Sequence, residues 1–379
     1  MKRLLVLALL AACGDNAKLM PDGHPGGGTD GSDTAQPLYK AVVVGADFTS
    51  GTGVVSRLDI ATLAMQQNAV PGAATSDPVL RHIGASLYIV NRSVGENVTI
   101  LDAHTLSPTG QFSTGAGSDP QDVAVVGDKL YIPATGTAGV VVMTLPSGST
   151  TTIDLAAAVG DPDGKPDCVS AIAVGTDVYV ACDLLDATFT PRAVGKVAVI
   201  DTTTDTVRTT ISLPYKNPLG FFVQTPASST YAGDLLIPTV PDFDHYTTGC
   251  VARVTTGATP TASCAITNMA AGGFVTEATI NDKLWLSVVV DANFSTVSGQ
   301  VRSVDLATGT LSASASPTTE QIGDVAACPD GSVVAVDTKM NAAGVRVYSG
   351  ATERTTEAVA IGLPPIFAGG VVCYDVNHP

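Results

Sequence analysis

The chain has 379 residues, of which only 14% are charged and 5% aromatic, and its formal charge is −16. Such a surface repels phosphate, so nucleic acid is excluded as a partner, and attraction to anionic lipid headgroups is disfavoured for the same reason. Gly, Ala, Thr and Val dominate, which suits many short strands joined by tight turns better than helices.

Residues 1–12 read as an export signal, with a basic start (Lys2, Arg3), an apolar stretch from Leu4 to Leu10, and small residues after it. The string Leu10-Ala11-Ala12-Cys13 resembles the lipobox of bacterial lipoproteins, which implies lipidation of Cys13 and a place in the cell envelope, at the outer membrane of a diderm bacterium. The alternative is an ordinary signal peptide with a chance cysteine. Without the signal the charge becomes −18, because Lys2 and Arg3 are lost from −16. Residues 13–37 are rich in Gly, Asp and Pro and nearly empty of large apolar side chains, so they are expected to form a flexible tether. His24 within it is expected to be solvated. No run of about 18 apolar residues follows, and the sequence predicts no transmembrane helix.

From residue 38 onward one unit recurs seven times: an apolar hairpin, then a Val-rich strand ending in Asp, Thr or Ser. The endings are Leu58-Asp59, Leu101-Asp102, Met143-Thr144, Ile200-Asp201, Val254-Thr255, Val304-Asp305 and Tyr348-Ser349, spaced by 43, 42, 57, 54, 50 and 44 residues. Periods near ~40–45 residues built from short strands are what four-stranded propeller blades require. The inner hairpins fall at 80–91, 123–134, 172–183, 278–289 and 325–337, each with a Gly, Asp or Asn turn, while 220–240 carries a longer loop. Pro78, Pro120, Pro166, Pro218 and Pro365 mark the crossings between blades. Residues 366–376 match the start of a blade, and 39–48, 53–60 and 65–70 supply its other strands. The expected fold is therefore all-β: a seven-bladed β-propeller over 38–379, of four-stranded antiparallel blades, closed by a clasp between the N- and C-terminal strands. Closure removes the free edges of an open array.

Six cysteines remain after Cys13, an even number in an exported chain. Alignment of the repeats pairs Cys250 with Cys264 across an outer hairpin of blade 5, Cys168 with Cys182 in blade 4, and Cys328 of blade 7 with Cys373 of blade 1. No Cys-x-x-Cys pair is present, so a zinc site is not indicated.

The regularity fails at long insertions between second and third strands, at 183–195, 239–250 and 289–299 in blades 4 to 6. Unequal loops on one sector are the sequence sign of a functional rim. Here the rim is acidic, with Asp161, Asp163, Asp167, Asp183, Asp186, Asp242, Asp244 and Asp291, joined by Arg192 and His245. Converging carboxylates are either a site for a hard cation such as Ca²⁺ or solvated loop surface. The string from Asp161 to Asp167 is like a calcium loop only superficially, since its Gly falls two places early and position 172 is Ile. No other cofactor is indicated. His82 and His245 are the histidines placed to act as catalytic groups; no Gly-x-Ser-x-Gly elbow, haem motif or phosphate-binding glycine loop is present.

The segments VAVIDTTTDTVRTTISL (197–213) and LYIVN (87–91) resemble the YVTN and lactonase-like group of seven-bladed propellers. That resemblance implies the fold over about residues 38–376 and a group whose members include sugar-lactone hydrolases, quinone-dependent dehydrogenases and extracytoplasmic proteins without an assigned role. The expected function is a monomeric, envelope-anchored, non-catalytic binding or scaffolding propeller that touches the membrane only through its lipid. Its rim would hold a protein or glycan partner. The alternative is a periplasmic enzyme of the hydrolase or dehydrogenase kind.

Overall fold

The computed structural model describes residues 37–241, 248–290, 298–313 and 321–378. These form a seven-bladed β-propeller, with strands in each blade running antiparallel and lettered A to D from the axis outward. Blade 1 takes strand A, Val371–Asp375, from the C-terminal end and its other strands, Tyr39–Asp47, Thr52–Asp59 and Met65–Gln66, from the N-terminal end. Ala41 stands opposite Cys373 in this clasp. Six blades show four strands; blade 6 shows three, with a bridge between Val304 and Leu311 in the fourth position.

Why the array closes is visible in the alternation of side chains. In strand Tyr39–Asp47, Val42 and Val44 pack with Leu80, Leu87 and Ile89 of blade 2, while Ala41 and Val43 pack with Val334, Val336 and Val345 of blade 7. Each blade is thus apolar on both faces, and its middle strands read as continuous buried runs. Seven such clusters occupy the seven junctions between neighbouring blades. Each fully buried Val or Leu contributes about 1.5–3 kcal/mol, so a blade without neighbours would expose two unpaid faces.

Third strands end at Asp59, Asp102, Thr144, Asp201, Val254, Asp305 and Ser349, six at the predicted residue and the fifth one residue before Thr255. Four of the Asp residues turn the chain by accepting a backbone N–H: Asp59 from Thr62 (2.8 Å), Asp102 from Thr105 (2.7 Å), Asp201 from Thr203 (2.8 Å) and Asp305 from Thr308 (2.8 Å). All three expected disulfides are present. One detail differs from the sequence reading. Cys264 faces Ala252 rather than Cys250, because a register shift between Val251 and Ala252 displaces the partner strand. The Cys250–Cys264 bond therefore runs diagonally.

Antiparallel order gives the disc two different faces. The upper face carries the D–A and B–C connections, and the lower face carries the A–B and C–D turns.

Candidate functional site

The innermost strands begin earlier than their hairpin pattern suggests: Phe274–Ile280 in blade 6 and Ile322–Ala327 in blade 7. A register shift near the start of strand A, between Cys168 and Ser170, Val275 and Glu277, and Ile322 and Asp324, interrupts the apolar alternation there. Ser170, Glu277 and Asp324, with Asp122 just before strand Ala124–Val126, form a polar belt around the axis.

The belt hydrogen-bonds across every junction. Arg81 of blade 2 donates through Nε to Asp122 Oδ1 of blade 3 (2.6 Å), and Asp122 Oδ2 accepts the Ala171 N–H of blade 4 (2.8 Å). Ser170 Oγ accepts the Phe222 N–H of blade 5 (3.1 Å), whose Phe221 N–H donates to Glu277 Oε1 of blade 6 (3.2 Å). Thr276 Oγ1 donates to the Gly323 carbonyl of blade 7 (3.0 Å). Asp324 Oδ2 accepts the Gly370 N–H of blade 1 (2.6 Å), and the Leu80 N–H closes the circle on the Gly369 carbonyl (2.8 Å). The Arg81 guanidinium lies over the Phe221 ring, 3.2 Å from its centroid, so blades 2 and 5 meet across the channel. A Cβ on Gly369 would stand 2.3 Å from that ring, which is why this position holds glycine.

Three carboxyl groups share this belt with one guanidinium. Asp122, Glu277 and Asp324 are 1%, 4% and 1% exposed. Burial raises Asp122 against the pull of the Arg81 charge. Burial, reinforced by the charge of Asp324, lifts Glu277 well above the carboxylate range, and burial pushes Asp324 up to about 7. Glu277 Oε2 and Arg81 Nη2 are buried without a hydrogen-bond partner. Beside the belt lies a cavity of about 290 Å³, with Arg81, Glu277 and Asp324 near its inner end and Thr279, Ile280 and Cys373 along its walls toward the lower face.

His82, expected as a catalytic candidate, also lines this cavity. Its ring stacks on Tyr374 at 4.3 Å between centroids, its Nε2 has no partner, and burial holds its pKa below the ordinary value. The other candidate, His245, lies outside the described residues, as do Asp242, Asp244, Asp291 and Cys13. The belt residues Arg81, Asp122, Glu277 and Asp324 were not singled out by the sequence reading. A signal was available, since Asp122, Ser170, Glu277 and Asp324 each precede or open a hairpin at corresponding positions.

The blade 4 rim takes shape on the upper face. Asp161 Oδ2 accepts the N–H groups of Gly164 (2.8 Å) and Lys165 (2.9 Å), Asp163 Oδ1 accepts that of Lys165 (3.0 Å), and Asp167 Oδ2 accepts that of Leu185 (2.9 Å). Burial pushes Asp167 up to about 6 and, with the charge of Asp167, lifts Asp183 well above the usual range. Asp186 caps its own turn through Thr188 and pairs loosely with Arg192 (3.7 Å). Among the described residues no three of His, Cys, Asp and Glu are grouped so as to hold a metal ion.

Eight large apolar side chains are exposed among the described residues: Leu38, Phe48, Val94, Phe189, Val194, Met269, Met340 and Phe367. All but Leu38 sit in B–C or D–A connections, on the upper face.

No protein-family model matches the chain, and no curated protein matches it. Among solved structures it is similar to a Bacteroides uniformis ATCC 8492 protein provisionally named a 6-phosphogluconolactonase, at 12% identity over 89% of this chain and 100% of that chain, with a TM-score of 0.57. It is also similar to apo AztD from Citrobacter koseri, at 12% identity over 89% of this chain and 98% of that one, with a TM-score of 0.53. At such identity the likeness is one of fold, and it spans nearly the whole propeller.

Proposed function

We propose that the chain is an extracytoplasmic, non-catalytic binding propeller that engages a protein partner with its upper face. The observation that carries this reading is the placement, among the described residues, of seven of the eight exposed large apolar side chains on that one face. Exposed Phe and Met side chains set among polar loops are the anchors around which protein interfaces form. Three disulfides support an oxidising compartment, and the lipobox-like Cys13 supports anchorage in the envelope.

Lactone hydrolysis is supported less well. A phosphorylated sugar in the channel cavity would meet the carboxyl groups of Glu277 and Asp324 and one guanidinium already bonded to Asp122, and His82 has no carboxylate hydrogen-bonded to its ring. The test is photo-crosslinking from positions 48, 189 and 340 of the full chain in its native envelope, with positions 128 and 282 of the lower-face turns as controls. Crosslinks to one protein from the upper positions alone support the proposal. Equal crosslinking from both faces, or capture of glycan only, rejects it.

A further inference from the structure

The channel cavity is separate from the upper-face loops and has a chemistry of its own. Its polar end holds Glu277 and Asp324; its walls toward the lower face include Val223, Ile280, Val325 and Val371. Arg81 also lines the cavity: Nε bonds Asp122 (2.6 Å), Nη1 bonds the Leu80 carbonyl (2.7 Å), the guanidinium plane rests on Phe221, and Nη2 has no hydrogen-bond partner. Asp324 accepts the N–H groups of Val325 (2.7 Å) and Gly370 (2.6 Å), but no side-chain cation bonds it. Glu277 is 4% exposed and keeps one oxygen, Oε2, without any partner. Two neighbouring carboxyl groups therefore face the cavity with no cation hydrogen-bonded to either, the Arg81 charge acting on them only through space, and such groups stabilise a positive charge placed between them.

We propose that this cavity binds a compact organic cation, an alkylammonium whose head meets Glu277 and Asp324 and whose hydrocarbon lies along the apolar walls. A volume of about 290 Å³ restricts the ligand to a small molecule. An ammonium suits the site better than a divalent ion, because only these two carboxyl groups are at hand and no three ligating side chains are grouped among the described residues. A carboxylate or phosphate ligand would be repelled by the same pair. The charged and titratable groups around Glu277 are Arg81 and His82 of blade 2, Asp122 of blade 3 and Asp324 of blade 7. Since burial holds Glu277 and Asp324 protonated to higher pH than usual, the cation binds in competition with protons and binds more tightly as pH rises.

The experiment is calorimetric titration of the full chain with n-butylammonium, and with n-butanol and butyrate as its neutral and anionic counterparts, at pH 6 and pH 8. The expected result is binding of n-butylammonium alone, several-fold tighter at pH 8 with proton release, and about tenfold or more weaker in Glu277→Gln. No binding of n-butylammonium at millimolar concentration, butyrate binding as tightly, or an affinity unchanged by Glu277→Gln overturns the proposal. If that variant fails to fold, the ligand series and pH comparison on the unaltered chain decide the question alone.

Discussion

The belt and the blade 4 rim are both built on aspartate and glutamate, yet they use the carboxyl group differently. In the rim, Asp161, Asp163 and Asp186 accept N–H groups two to four residues away, so each carboxylate shapes its own loop. In the belt, Asp122 reaches 49 residues along the chain to Ala171, and Asp324 reaches 46 to Gly370. Those bonds join one blade to the next at the axis, where the blades are closest. These three rim carboxylates are therefore dispensable to the ring, whereas a belt carboxylate is a junction.

One of the two largest expected effects breaks this comparison at the belt. Asp122→Ala leaves the partly buried Arg81 without its ion-pair partner and strips the Ala171 N–H of its acceptor, and should cost about 2–4 kcal/mol in denaturant unfolding. Asp186→Ala, which removes only local turn bonds from Thr188 and Thr190, should cost no more than about 1 kcal/mol. Equal losses in the two variants would refute the distinction.

Of similar size is the effect at the clasp. The Cys328–Cys373 bond closes a separation of 45 residues and the Cys168–Cys182 bond one of 14. Replacing the clasp pair by serine should cost about 4 kcal/mol, some ~1 kcal/mol more than replacing the blade 4 pair, if restriction of the unfolded chain dominates. Melting of the two double variants under identical conditions measures the difference.

A smaller effect separates belt from turns by the sign of their pH dependence. Glu277 and Asp324 have raised pKa values in the folded state, Asp324 about 7, so the folded chain binds more protons than the unfolded one between about pH 4 and 7. Their contribution is greatest below that window and declines as pH rises through it, by up to about 1.4 kcal/mol per pH unit for each group. Asp102, Asp201 and Asp305 have lowered values, set by hydrogen bonds from Thr105, Thr203 and Thr308, and their contribution is present at neutral pH and lost on acidification. Asp324→Asn should reduce the slope of the stability profile between about pH 4 and 7, Glu277 keeping the remainder, and leave the acid limb intact.

The smallest effect on stability belongs to the upper face. Phe189→Ser, at a side chain 82% exposed, should change stability by no more than about 0.5 kcal/mol while weakening partner capture. A large loss of stability would mean that Phe189 serves packing rather than recognition.

Much of this architecture can be read from one strand of the repeat. Regular third-strand endings, turn residues and alternating valines make a seven-bladed ring the consistent solution, and the equivalent places of Cys328 and Cys373 in adjacent repeats identify the clasp. The rim was legible as unequal loop length, although only its blade 4 part lies fully within the described residues. The belt was harder to see because its polar residues sit where strands open, and polar residues beside a hairpin read as loop. The register shifts that turn Ser170, Glu277 and Asp324 inward have no signature in apolar alternation.

By itself the sequence determined the fold and its closure and proposed the cysteine pairs that the structure then joins, because these depend on periodicity and position within a repeat. Only the tertiary structure decided which carboxyl groups share a buried belt with Arg81, and that seven scattered apolar loop residues share one face. Both properties arise when distant blades are brought around a common axis, so the relevant neighbours are set by ring geometry rather than by chain order.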